Sequence, residues 1–217
     1  MTVDVFLSVG RTSTDDQERL VASLEATLRS LEVAPRTVGR NDFSSKAPLK
    51  RIEEVLGECH GTVVLAFERS WAPSVTSRRG SVDQALLSEV RLPTVWNQIE
   101  AALSYGKGLP LLVIVETGLL PEGLLEARYD WYVQTIPMDV TALQTNEFRA
   151  VLADWIRQVE AHASRPAARA SAEPDVSTMS LAQLAQSLTV AQAWSVLGAV
   201  ATVLIAVAAV AYKLGGA

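Results

Sequence analysis

The chain has 217 residues, a formal net charge of −5 and one cysteine. That length accommodates one domain of ordinary size plus an appendage. The acidic balance, with no basic cluster longer than Arg78-Arg79, excludes a phosphate-binding surface for nucleic acid, and a lone Cys59 excludes an internal disulfide and reads as a buried thiol near the end of a helix.

The opening residues carry neither a basic n-region nor a long apolar h-region, so no signal peptide is expected and the first domain is expected in the cytoplasm. Residues 3–8 predict a strand. Leu20, Val21, Leu24, Leu28 and Leu31 recur at helical spacing and predict the first helix. Residues 35–38 predict a short second strand, and Leu49, Ile52, Val55 and Leu56 a second helical stripe. Residues 61–67 (GTVVLAF) and 109–115 (LPLLVIV) are continuous apolar runs, the pattern of strands covered on both faces. Between them, residues 72–91 read as an insertion, and Trp96, Ile99 and Leu103 as the apolar face of a third helix. Residues 131–137 predict a last strand, and Phe148, Val151, Leu152, Trp155 and Val159 a closing helix.

Strands alternating with helices over residues 1–162 predict an α/β domain with a doubly wound parallel sheet of about five strands. Ligand sites in such sheets lie beyond the carboxyl ends of the strands. Residues 8–11, 39–43, 67–70 and the start of the third helix are therefore expected around one crevice.

Beyond the domain, residues 163–179 are rich in Ala, Ser, Pro and Arg and predict a flexible linker. Leu181, Leu184 and Leu188 share one helical face and predict a short amphipathic segment over 180–192. Residues 193–212 (AWSVLGAVATVLIAVAAVAY) hold no charge. As a helix they would rise about 30 Å, the thickness of a hydrocarbon core. Trp194 and Tyr212 stand at the two ends, where amphipathic rings favour the interface. These features predict a single-pass anchor in the cell inner membrane, with the N-terminal domain on the cytoplasmic side.

Three stretches carry a family likeness. Asp4-Val5-Phe6-Leu7-Ser8 resembles the first strand of Toll/interleukin-1 receptor (TIR) domains, and Arg40-Asn41-Asp42 resembles the loop after their second strand. Trp96-Asn97-Gln98-Ile99-Glu100 is similar to the Trp-x-x-x-Glu element of TIR domains that cleave NAD, and a fourth strand follows it as in that family. The resemblance implies a TIR/flavodoxin-like fold, NAD as substrate, Glu100 as the catalytic residue, and Ser8, Arg11, Arg40, Asp42 and Trp96 around the substrate. It further implies self-association through the domain and a role in antiphage defence or signalling. Two departures border the expected pocket: Val9 stands where an aromatic residue is common, and the 72–91 insertion has no counterpart in a minimal TIR domain. Residues 100–110, with a Gly two before Pro110, also resemble nucleoside deoxyribosyltransferases, which place a catalytic Glu ten residues before such a Pro. Both likenesses point at Glu100.

The chemistry is shared too. Cleavage of an N-glycosidic bond passes through an oxocarbenium-like state that a neighbouring carboxylate stabilises or attacks. The nicotinamide of NAD is cationic and leaves neutral, so one carboxylate suffices. An uncharged nucleoside asks for a proton donor as well, and Asp42 is the candidate. Arg11 and Arg40 could meet a pyrophosphate, and Trp96 is expected to pack against the sheet. His60 and His162 have no further ligand at metal spacing, so neither a metal nor a cofactor beyond the NAD substrate is expected. A non-enzymatic membrane adaptor that uses the same surface for homotypic contacts remains the alternative to either enzyme.

Overall fold

A computed structural model describes residues 2–127 and 129–165. In chain order the elements are β1 (Val3–Val9), α1 (Asp15–Ser30), β2 (Val33–Arg36), α2 (Pro48–Glu58), β3 (Thr62–Ala66), β4 (Ser70–Ser77), β5 (Ala85–Leu92), α3 (Val95–Gly106), β6 (Leu111–Glu116), β7 (Tyr132–Ile136) and α4 (Asn146–Ala163). Five strands form one parallel sheet in the order β2-β1-β3-β6-β7. The expected doubly wound α/β architecture and its five strands are present. The order reverses between β1 and β3, and this is the switch point at which the helices change sides.

Each helix start has a local cause. Thr14 caps α1 by accepting from the Gln17 amide, and Asp15, Asp16 and Glu18 fill its first turn, where the helix dipole favours negative charge. Pro48 opens α2 at a position where its missing N–H costs nothing. Thr94 and Thr145 cap α3 and α4. On one face of the sheet α1 and α4 bury Leu20, Leu24, Leu28, Phe148, Leu152 and Trp155 against Val5, Leu7, Val63 and Ile114. On the other, α2 packs Ile52, Val55 and Leu56 on Phe6, and α3 sits over Val64, Ala66 and Val113. All of β3 and β6 is buried, which explains their unbroken apolar runs.

Some expectations shift. The second strand begins at Val33, two residues earlier than its apolar pattern suggested, because Val33 pairs with Val3 and Pro35 is tolerated on an edge strand. Leu31 and Leu49, assigned to helical core stripes, are exposed. Leu31 is the C-cap of α1 and Leu49 lies in the first turn of α2, beyond the part of each helix that covers the sheet. The 72–91 insertion is an antiparallel hairpin, β4 with β5, outside the main sheet. Its residues are mostly exposed on both faces, so no amphipathic period marked it in the sequence.

Helix α4 continues through Ala163, one residue into the expected linker. The rest of that linker past residue 165, the amphipathic segment at 180–192 and the span at 193–212 lie outside the described residues. Among the described residues no helix is long and apolar enough to cross a membrane.

Cys59 is buried, and burial pushes its thiol up to about 12. Gly61, which precedes β3, is a point of close approach: a Cβ there would stand 2.5 Å from Val159 Cγ2 and 3.1 Å from Trp155 Cζ2 on α4. Gly61→Ala should therefore overpack the α4 interface and destabilise the domain by about 1–3 kcal/mol, measurable by urea denaturation.

Candidate functional site at the switch point

Side chains alternate along β1, so Val5 and Leu7 face α1 and α4 while Phe6 and Ser8 face the opposite helices. Ser8 thus lies, fully buried, beneath α3. The residues that α3 turns inward are Asn97, Glu100, Ala101 and Ser104. This departs from the expected stripe of Trp96, Ile99 and Leu103: Trp96, which was to pack on the sheet, is 43 % exposed. The helix is rotated by about one position, or ~100°. Small Ala101 and Ser104 permit its close approach, and Thr62 donates to Ser104 Oγ at 2.9 Å beneath it. The rotation carries two strongly polar side chains, Asn97 and Glu100, into the interior.

Asn97 donates through Nδ2 to Ser8 Oγ at 3.0 Å and reaches the Ser8 carbonyl at 3.4 Å. Glu100 is 9 % exposed, and burial raises its carboxyl to about 7, with the Ser8 hydroxyl pulling in the opposite direction. Four carboxylates of the described residues are buried: Glu25, Asp42, Glu100 and Glu116. Glu25 pairs with Arg40 and Arg29, Asp42 with Arg36 and Arg51, and Glu116 with Arg91. Among the described residues Glu100 alone of the four has no cationic partner. An uncompensated buried carboxylate is costly, and such groups cluster where a protein needs their chemistry.

The other residues expected around a substrate lie in different surroundings. Arg11 is exposed on the loop leaving β1. Arg40 spends its guanidinium on Glu25 at 2.9 Å and on both Glu18 oxygens at 2.6 and 3.1 Å, and this pairing holds Glu18 down to about 2. Asp42 accepts from Arg51 at 2.7 Å through both oxygens and from Arg36 at 2.7 Å. These bonds lower its carboxyl, so Asp42 is held ionised and has no proton to give. The structure therefore brings Ser8 and Glu100 together and ties Arg40 and Asp42 into ion pairs that fasten the loop after β2. Asn97 was missed as a site residue because a helical Asn beside an apolar stripe reads as an exposed one. The signal that could have exposed it is the three-residue spacing to Glu100, which places both on one helical face.

Two grooves lie elsewhere. One of about 770 Å³ opens at the amino ends of β6 and β7 between Tyr105, Trp131, Tyr132 and Trp155, and one of about 760 Å³ separates α1 from α4. Neither contains Glu100, Ser8 or Asn97. Pocket size would favour them as binding sites, but neither is lined by a buried, unpaired acid. Among the described residues no group of three or more His, Cys, Asp or Glu could hold a metal ion.

No protein-family model matches the chain, and no curated protein matches it. Among solved structures it is similar to the TIR domains of the activated Roq1 resistosome directly recognising the pathogen effector XopQ. That match has 15 % identity and a TM-score of 0.34, and covers 80 % of this chain and 92 % of the other.

Proposed function

We propose that this domain is a TIR-like NAD-cleaving N-glycosidase in which Glu100 stabilises the ribose cation as nicotinamide departs. The observation that carries the reading is a buried, cation-free carboxylate beside Ser8 at the switch point of a parallel sheet. In the reaction the C1′–N bond breaks and its electron pair leaves with nicotinamide, which becomes neutral. Water then adds at C1′ and releases a proton, giving ADP-ribose, or an internal nucleophile closes a cyclic product. Glu100 acts as a carboxylate, so it must be ionised. Arg11 and Trp96, both exposed near this rim, are the proposed contacts for the rest of the dinucleotide. With Asp42 locked to two arginines, the proton that an uncharged nucleoside leaving group requires lacks its expected donor. This favours NAD over the deoxyribosyltransferase reading.

Because Glu100 titrates near 7 in the free protein, kcat/KM for NAD should rise with pH through an acid limb close to 7. The cationic nicotinamide favours the ionised form once bound, so the limb of kcat alone should fall lower. A pH-rate series measured at low and saturating NAD checks both.

The proposal includes a membrane tether through residues 193–212, which would concentrate domains in two dimensions and favour assembly, and a role in defence or signalling. The exposed apolar residues Trp71 and Leu86 on the β4–β5 hairpin offer a surface for self-association. A second reading, the non-enzymatic adaptor, is favoured by the same 9 % exposure of Glu100, which leaves little access for a substrate. Full-length protein in liposomes, given NAD or a deoxynucleoside with an acceptor base, separates the readings. Nicotinamide release lost in Glu100→Ala supports the proposal, base exchange with NAD untouched supports the transferase, and no turnover at any protein density leaves the adaptor.

A further inference from the structure

We propose that the groove at the amino ends of β6 and β7 binds an amphiphilic organic cation, with a primary ammonium or guanidinium head on an apolar body. The head lies among the aromatic rings around Asp130, and the body runs along α4.

The aromatic end is built from residues 129–132 and the end of α3. Tyr129 stacks on Trp131 with ring centroids 4.6 Å apart and planes 18° apart. Tyr105 meets the same indole edge-on, at 5.3 Å and 69°. Trp131 is fixed between them, because its Nε1 donates to the Leu124 carbonyl at 2.9 Å. Tyr105, Tyr129 and Tyr132 are each about half exposed. Rings that served only to pack the core would be covered; clustered in water, they mark a binding surface. Their faces carry the negative lobe of the ring quadrupole and attract cations.

Asp130 stands among these rings. Its Oδ2 accepts from the Tyr105 hydroxyl at 2.9 Å, and among the described residues no cation pairs with it. Asp154, the other acid of the groove, is already engaged by Arg157 at 2.6 Å and Gln158 at 2.9 Å. Asp130 is therefore the carboxylate left to meet a charged N–H donor, which would bond its Oδ1 while lying against the rings.

The place of the groove in the fold points the same way. The amino ends of parallel strands face the carboxyl ends of their helices, and residues from the ends of α3 and α4 line this groove. A helix carboxyl end carries partial negative charge. The last turn of α3 holds no basic residue, and its C-cap, Lys107, makes no ion pair with Asp130. Helix α4 instead ends on His162 and Arg165, and these lie at the far end of the groove. His162 contacts His60, just ahead of β3, with ring centroids 5.6 Å apart, whereas Asp130 precedes β7, and β6 separates the two strands. The groove is thus polarised, with its negative end at β7. Its volume of about 770 Å³ exceeds what an ammonium or guanidinium alone needs and suits a ligand with an apolar body. Val151 and Trp155 on α4 give that body its apolar wall. Glu100 does not line the groove, so the two sites are separate.

Calorimetric titration of the full chain tests the assignment without any use of NAD turnover. The probes are 4-phenylbutylamine and its neutral counterpart 4-phenylbutanol. The amine should bind about tenfold more tightly than the alcohol. Asp130→Asn should erase that preference and leave the alcohol's affinity unchanged, and Glu100→Gln should alter neither. Equal affinities in the wild type overturn the proposal. So does a preference that survives Asp130→Asn, one that is lost in Glu100→Gln, or no saturable binding up to about 10 mM amine. Should Asp130→Asn not fold, the wild type carrying 5-fluorotryptophan is titrated by ¹⁹F NMR, with Trp131→Phe assigning the resonance. The Trp131 signal should then shift with the amine in a saturable way, and a signal that stays in place overturns the proposal.

Discussion

Glu100→Gln is expected to make the protein more stable at pH 8 while removing its activity. In the native state burial raises the carboxyl from 4.5 to about 7. The sign follows directly. Between those values the folded chain holds a proton that the unfolded chain has released, so stability falls as pH rises through the window. Each unit corresponds to about 1.4 kcal/mol. Replacing the acid by a neutral amide should therefore recover about 1–3 kcal/mol at pH 8 and almost nothing at pH 4.5, the amide's own burial offsetting part of the gain. Urea denaturation of wild type and variant at the two pH values checks this. Over the same substitution turnover should fall by about 10²–10⁴-fold, the scale of losing a preorganised electrostatic group. Opposite signs for stability and activity mark a residue kept for chemistry; loss of both would mark a structural one.

Arg91→Ala should give the opposite outcome, a large loss of stability. Arg91 ion-pairs with Glu68 and Glu116 and donates to the Thr117 carbonyl at 2.8 Å. Its backbone carbonyl accepts from the Leu120 amide at 2.9 Å, while the Glu68 amide donates to Glu116 at 2.7 Å. The residue thus fastens the β4–β5 hairpin to the carboxyl rim of β3 and β6. Without the guanidinium, Glu116 becomes a second buried acid with no cation. Breaking a fully buried pair costs about 3–5 kcal/mol. Arg91 is 30 % exposed, so solvent screening lowers the expectation to about 2–4 kcal/mol. Urea denaturation of wild type and Arg91→Ala reads the loss, and a loss much below about 2 kcal/mol would assign Arg91 a peripheral role instead.

The fold was legible because its signals are local and periodic. The covered strands β3 and β6 announced themselves by unbroken apolar runs, and α1 and α4 by apolar faces that the structure places on the sheet. The hairpin was not legible, since its residues are exposed on both faces and carry no period. The site was half legible. Position 100 stood out by its spacing from Trp96, but the orientation of α3 did not, because hydrophobicity argues for burying Trp96, Ile99 and Leu103. The helix instead buries Asn97, Glu100, Ala101 and Ser104, against its own apolar preference. Sequence rules of that kind fail most where a protein trades stability for function. Arg40 and Asp42 illustrate the converse. They look like ligand-binding residues in a loop, and three-dimensional pairing with Glu18, Glu25, Arg36 and Arg51 is what a linear reading has no means to see.

All of the functional account depends on a single acid acting on the sugar carbon of a dinucleotide. The most direct test is free nicotinamide produced from NAD at pH 8 by membrane-reconstituted wild type and by Glu100→Gln shown to be folded. The account predicts steady release by the wild type and a trace or none from the variant. Equal release by both proteins, or none from a densely packed wild type, would contradict it.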